Sequence, residues 1–283
     1  MPTITLPQGT LKYEDVGQGP PVVFVHGLLV NGQLWRKVTP KLSHTARCIV
    51  PDLPLGSHAI PMNADADLSV DGVARLVGDF LDALDLHDVT LVGNDSGGAI
   101  SQLVASRYGS RLGRLVLTTC DAYDVFPPKG FGYLRVLPYV PGLIAALAKG
   151  MLAVKALRDL PIAYGLLAKH GIPEDVVKSY IAPAARSAAI RRDVSKFARS
   201  VSPRVTLEAA EELAAFGRPM LLLWTPEDRF FPMRLADHFR RNLPNVTLET
   251  IEDAYVFVAE DQPEQVAAGI ARFIAERTAA SAA

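Results

Sequence analysis

The stretch Gly93-Asn94-Asp95-Ser96-Gly97-Gly98 constrains this chain more than any other. The apolar run Val89-Thr90-Leu91-Val92 leads into it, and the helical pattern Ala99-Ile100-Ser101-Gln102-Leu103-Val104-Ala105 leads out. The stretch is therefore a sharp turn from strand to helix. Gly93 and Gly97 stand two residues either side of Asp95. A turn that lifts one side chain at the end of a strand needs small neighbours at those two places. Asp95 would also meet the positive end of a helix dipole, which suits an anion. A plain N-cap is the simpler use of such an aspartate, but it would not need the paired glycines. Ser96 is a poorer candidate for the raised residue, because its minus-two neighbour would be the bulkier Asn94.

The rest of the chain repeats the strand-to-helix theme. Ile4 to Leu6 and Leu11 to Val16 read as a hairpin around Pro7-Gln8-Gly9. Pro21 to Val25 is a continuous apolar run, as expected of a parallel strand covered on both faces, and it empties into His26-Gly27. Gln33 to Leu42 reads as a helix, Ala46 to Leu53 as a strand, and Ser69 to Leu86 as an amphipathic helix with Ser69 as N-cap. Arg114 to Thr119 is a further strand. Residues 121–205 then lose the strand signal and become proline-punctuated helical pieces. Alternation resumes with strands at Met220 to Trp224 and Val246 to Ile251, and with helices at Met233 to Asn242 and Gln262 to Arg277. The expected architecture is an α/β core of residues 1–120 and 206–283, a mostly parallel doubly wound sheet, interrupted by a helical insertion at 121–205.

Composition narrows the partners. The 29 basic and 30 acidic residues leave a net charge of -1, which argues against nucleic acid or an anionic membrane. No apolar run is long enough to span a bilayer, and the first residues lack the pattern of a signal peptide. Cys48 and Cys120, the 2 cysteines, sit in apolar runs rather than in a disulfide framework, so a reducing, cytoplasmic compartment is expected. No metal-ligating or cofactor-binding pattern stands out, and the partner expected is a small-molecule substrate. The sequence leaves the oligomeric state open.

Four landmarks in order carry a resemblance over nearly the whole length: Val25-His26-Gly27, Asp52-Leu53-Pro54, Gly93 to Gly97, and Asp228-Arg229-Phe230-Phe231-Pro232. With them the chain resembles α/β-hydrolase-fold proteins that carry a helical cap. The aspartate at the elbow is similar to the haloalkane dehalogenase and epoxide hydrolase branch rather than to esterases and lipases. The resemblance implies Asp95 as nucleophile, able to form an ester with an sp³ carbon. It implies Asp228 as the acid of the triad, with Asp121 as the other place where relatives carry it. It implies an oxyanion hole from the backbone N–H groups of Leu28 and Ser96. His26 is expected to shape its loop.

The base departs from the family pattern. Relatives usually show Gly-His-Phe before the last helix, which maps onto Tyr255-Val256-Phe257. Val256 cannot accept a proton, and no histidine follows His238. Alkylation of Asp95 needs no base, whereas hydrolysis of the resulting ester does. His58, in a loop that leaves a strand at the expected site, is the candidate substitute base, and His170 in the insertion is a second. Dehalogenation is disfavoured, because the family's halide-binding tryptophan and asparagine map onto Ser96 and Leu28. Epoxide hydrolases use cap tyrosines, and Tyr123, Tyr133, Tyr139, Tyr164 and Tyr180 lie in the insertion. The expectation is an enzyme acting on a small apolar organic molecule, by hydrolysis at an Asp95-centred site. The alternative is a cyclase, lyase or isomerase, or a catalytically silent binding protein, on the same fold.

Overall fold

The computed structural model describes residues 1–282, and side chains as far as Glu276. The strands are β1 Thr3–Leu6, β2 Gly9–Val16, β3 Pro21–Val25, β4 Arg47–Pro51, β5 Val89–Asp95, β6 Leu112–Cys120, β7 Met220–Trp224 and β8 Val246–Thr250. They form one sheet in the order β1-β2-β4-β3-β5-β6-β7-β8. β1 and β2 form the hairpin, β2 runs antiparallel to β4, and every later pairing is parallel. β3, β5, β6 and β7 are apolar and almost wholly buried, as strands covered on both faces must be.

The core helices are α1 Thr39–Leu42, α2 Val70–Ala83 and α3 Ser96–Arg107 before the insertion. Ser69 caps α2 as expected, its Oγ accepting from Gly72 N at 3.1 Å. The helix expected over Gln33 to Leu42 is instead a 3-10 turn, Gly32–Trp35, followed by α1. Pro40 is the reason. It has no N–H and its ring crowds the carbonyl four residues earlier, so a helix can begin there but cannot run through.

Between β6 and β7 the chain is helical. It passes through two 3-10 turns, Gly132–Arg135 and Leu137–Tyr139, and then α4 Leu143–Ala153, α5 Lys155–Arg158, α6 Glu174–Arg186, α7 Ala188–Ser200 and α8 Pro203–Leu213. α8 crosses the boundary expected at 205 and packs on α3. The insertion has a small core of its own around Ala148, Val177, Ile181, Ala184, Ala185 and Ile190. The chain closes with α9 Met233–Asn242, α10 Val258–Asp261 and α11 Pro263–Ala282. α2, α3 and α8 pack together, while α1 packs with α11.

The strand order fixes where a site can form. β4 lies on one side of β3 and β5 on the other. The connections leaving β3 and β5 therefore diverge, and a crevice opens at their carboxyl ends. His26-Gly27-Leu28 and Asp95 stand at those two ends.

Candidate active site

Asp95 closes β5 and opens α3 with φ 54° and ψ −135°, a backbone conformation that residues other than glycine rarely adopt. Such a residue costs roughly 1–3 kcal/mol and persists only where its surroundings enforce it. The glycines enforce it. A Cβ at Gly93 would stand 2.5 Å from Ser101 Oγ and 2.7 Å from the Gly97 carbonyl. A Cβ at Gly97 would overlap the carbonyls of Val25 and His26, and one at Gly98 would overlap Cys120. Gly27 matters from the other side: a Cβ there would strike the Asp95 carboxylate.

Three carboxyls meet here, and among the described residues no cationic side chain lines the pocket. Burial lifts Asp95 from 3.8 to about 7; the Ser96 N–H opposes the rise, the Asp228 charge adds to it, and the Ser96 hydroxyl opposes it. Asp121, 2% exposed, is pushed well above the carboxylate range by burial and then by Asp95 and Asp228. Burial also lifts Asp228 to about 7, against the N–H groups of Phe230 and Phe231, which donate to its Oδ1 at 2.7 and 3.0 Å. Asp121 Oδ1 and Asp228 Oδ2 are buried with no hydrogen-bond partner in the protein. Like charges so close cannot all ionise, so at neutral pH the cluster shares protons.

The groups expected to form an oxyanion hole are already engaged. Leu28 N donates to Ser96 Oγ at 2.7 Å, and Ser96 N donates to the Asp95 carboxyl. Both N–H groups lie at this corner, and the sequence reading did not foresee that the serine hydroxyl reaches back to occupy one of them.

No histidine lines the pocket among the described residues. His26 lies behind the β3 loop. Its Nε2 accepts from Leu53 N at 2.9 Å, its Nδ1 donates to the Gly27 carbonyl at 3.0 Å, and burial lowers it to about 4. It shapes the loop, as expected. His58, the expected substitute base, is turned the other way. Its Nδ1 accepts from Gly56 N at 3.3 Å, and its Nε2 faces Asp193 Oδ2 on α7 at 3.3 Å. The loop after β4 passes under the cap, and the buried Asp193 carboxylate captures the ring. His170 sits on the surface against Asp253 at 2.9 Å, and His238 packs at a tilt against the Tyr123 ring. Val256 itself lines the pocket, and its carbonyl accepts from Asn94 Nδ2 and Thr119 Oγ1, both at 2.8 Å. Asn94 also donates to Thr118 Oγ1 at 2.9 Å and to the Thr119 carbonyl at 3.2 Å. The sequence reading does not contain this clamp. The signal for it is three polar residues, Asn94, Thr118 and Thr119, at the ends of otherwise apolar central strands.

The remaining walls are apolar. They come from Leu28 and Leu29 below and from Phe126, Phe131, Met151 and Leu167 of the insertion above, around a cavity of about 770 Å³ including its mouth. Asp95, Ser96 and Asp121 are on its floor, while Asp228 is not on the lining and acts from behind Phe230 and Phe231. Of the cap tyrosines, Tyr133 and Tyr164 line the cavity. Their hydroxyls are spent on backbone, Tyr133 donating to the Ile162 carbonyl at 2.6 Å and Tyr164 to the Leu29 carbonyl at 2.7 Å. Among the described residues no cluster of side chains is suited to hold a metal ion.

The arrangement has relatives. Residues 20–263 match the family model described as alpha/beta hydrolase fold. A haloalkane dehalogenase 2 of Mycobacterium tuberculosis is 29% identical over 270 residues, covering 93% of this chain and 91% of the relative. A cis-3-alkyl-4-alkyloxetan-2-one decarboxylase of Shewanella oneidensis is 26% identical over 276 residues, covering 94% of this chain and 85% of the relative. Among solved structures, a haloalkane dehalogenase from Bradyrhizobium elkani superposes with a TM-score of 0.79 at 22% identity, covering 98% of this chain and 97% of that one. A thermophilic esterase from Thermogutta terrifontis superposes with a TM-score of 0.76 at 22% identity, covering 98% of this chain and 99% of that one.

Proposed function

Because this chain belongs to the α/β-hydrolase fold family, we propose that it is an enzyme whose capped pocket takes an apolar organic molecule and presents it to Asp95. The reaction that fits the site best is not hydrolysis. One observation supports this reading: three buried carboxyls share the site, and Val256 stands where a water-activating histidine would be. A carboxyl that titrates near pH 7 is suited to deliver and recover a proton under neutral conditions. Asp95 then works as acid and base, or captures the substrate covalently, in a lyase, isomerase or cyclase. Burial first, and the Asp228 charge after it, hold its proton affinity high.

Hydrolysis is the second reading, and the unpartnered oxygens of Asp121 and Asp228 favour it. Asp121, on the pocket floor, is the carboxyl placed to take a proton from water in place of a histidine. A catalytically silent binding protein is the third outcome.

Intact-protein mass spectrometry with a terminal epoxide and a primary alkyl bromide separates the three. The first reading predicts a persistent adduct, mapped to Asp95, with no diol or alcohol released. Steady product release that disappears in Asp95→Asn would establish hydrolysis instead. Absence of both adduct and turnover would rule out covalent capture and hydrolysis, and leave acid–base work by Asp95 or a binding protein.

A further inference from the structure

The insertion holds a second cavity, of about 880 Å³ including its mouth, that the reaction site does not use. Its wall includes Ile144, Leu147, Ala148, Leu160, Ile181 and Ala184, and among the described residues no charged side chain lines it. It shares Leu29, Tyr133, Leu134, Met151, Ala163 and Tyr164 with the cavity above Asp95. The two chambers therefore meet across a common partition. The tyrosines of that partition present ring faces rather than polar tips, since both hydroxyls are bonded to backbone carbonyls. At its outer end the second chamber reaches solvent past Leu147, Leu160 and Ile162, which are 40%, 42% and 49% exposed. An apolar rim of this kind is unusual on a soluble surface and marks a place where apolar molecules arrive.

Both chambers are walled by apolar side chains and neither is roomy. A compact molecule would fill one and leave the other idle. A slender molecule would fill both. The carboxyl end sets the other requirement. An anionic head group would face Asp95 and Asp121 in a buried space that no cationic side chain lines, which is strongly disfavoured.

We propose that the two chambers hold one elongated ligand, a neutral polar head at the carboxyl cluster with an unbranched alkyl chain passing Tyr133 and Tyr164 into the cap. The inference rests on the reading of the first chamber as the reaction site. It extends that reading from an apolar molecule of unstated shape to an alkyl-chain compound.

The test is a binding series of straight-chain primary alcohols, from butanol to hexadecanol, on the full chain by calorimetry. Affinity is expected to rise roughly fourfold per methylene, the burial gain of one CH₂. The rise should continue through chains too long for the first chamber alone. Ala148→Phe and Leu160→Trp, each confirmed folded by circular dichroism, fill the second chamber from different sides. Both should stop the rise at a shorter chain and leave butanol binding unchanged. The corresponding fatty acids at pH 8 should bind at least tenfold more weakly than the alcohols. Affinity independent of chain length, or a series unaffected by both filling variants, overturns the proposal. Asp95→Asn keeps the two readings apart. It should retain the chain-length series, so a lost series refutes the elongated ligand, whereas adduct formation that survives Asp95→Asn refutes only the reaction reading.

Discussion

Asp95 is held between opposing forces. Burial and the Asp228 charge favour its protonated form, and the Ser96 N–H and hydroxyl favour the carboxylate. The balance at about 7 has a consequence for stability. Asp95 and Asp228 both titrate near 4 in an unfolded chain and near 7 in the folded one. Between those values the folded state binds more protons than the unfolded state, so stability falls as pH rises through that window. Each displaced group adds to that loss, which is complete only once the pH has passed the folded-state value. Asp121→Asn removes the third titrating carboxyl while keeping the shape. Urea denaturation should show the wild type markedly less stable at pH 8 than at pH 5, and Asp121→Asn should narrow that gap. An unchanged gap in the variant would mean that Asp121 titrates alike in the folded and unfolded chain.

At the scale of elements, the elbow and the loop after β8 act as one unit joined by Asn94. Its amide serves the Thr118 hydroxyl and the carbonyls of Thr119 and Val256, all of them buried. Asn94→Ala leaves those acceptors short of a donor and should cost about 1–3 kcal/mol. A loss of a few tenths in chemical denaturation would show that the clamp is incidental. The same loop yields a sharper prediction. Val256→His would put an imidazole on the pocket lining that Asp95 shares. If Asp95 forms a persistent alkyl ester, Val256→His should speed its hydrolysis by roughly 10² to 10⁴. Mass spectrometry over time reads this directly, and an adduct that decays no faster in Val256→His would show that more than the base is missing.

This region also shows what the sequence could reveal. The paired glycines around Asp95 announce the elbow because steric demands at a tight turn are local. Met233–Asn242 and Met220–Trp224 match their expected bounds for the same reason: periodicity and apolar runs are local signals. The loop before the last helix was legible as a wall of the site, and Val256 lines the pocket. The two N–H groups near the elbow were legible too, but not their occupation by Ser96, which is a matter of one rotamer and a loop 68 residues away. His58 misled because a position after a strand end says where a loop starts, not which carboxylate across the molecule will claim its side chain. The break at Pro40 was visible in the sequence, since the ring forbids a continuous helix whatever the surrounding pattern.

At the scale of the whole molecule, the pocket exists only because the insertion is fastened over the sheet, and the fastenings are polar. Ser57 Oγ donates to the Tyr180 carbonyl at 2.6 Å, and Phe257 N donates to the Leu167 carbonyl at 2.7 Å. Met62 N donates to Asp193 Oδ2 at 2.9 Å, the same oxygen that faces His58. Asp193 is fully buried on α7, so His58 and Met62 from the core satisfy a cap carboxylate that has little other recourse than Arg192. Removing the ring leaves part of that charge uncompensated in a dry interior, which costs far more than the bond itself contributes. His58→Ala should therefore destabilise the protein by about 1–3 kcal/mol. Replacing the carboxylate by a neutral amide removes the uncompensated charge, so the double variant His58→Ala with Asp193→Asn should be more stable than His58→Ala alone. A base would behave differently: its removal would abolish turnover or adduct release and leave the cap in place. Hydrogen exchange distinguishes the two roles. A fastening role predicts faster exchange across Ala188–Ser200 in His58→Ala, with Asp95 still open to alkylation. Unchanged exchange together with lost chemistry would return His58 to the active site.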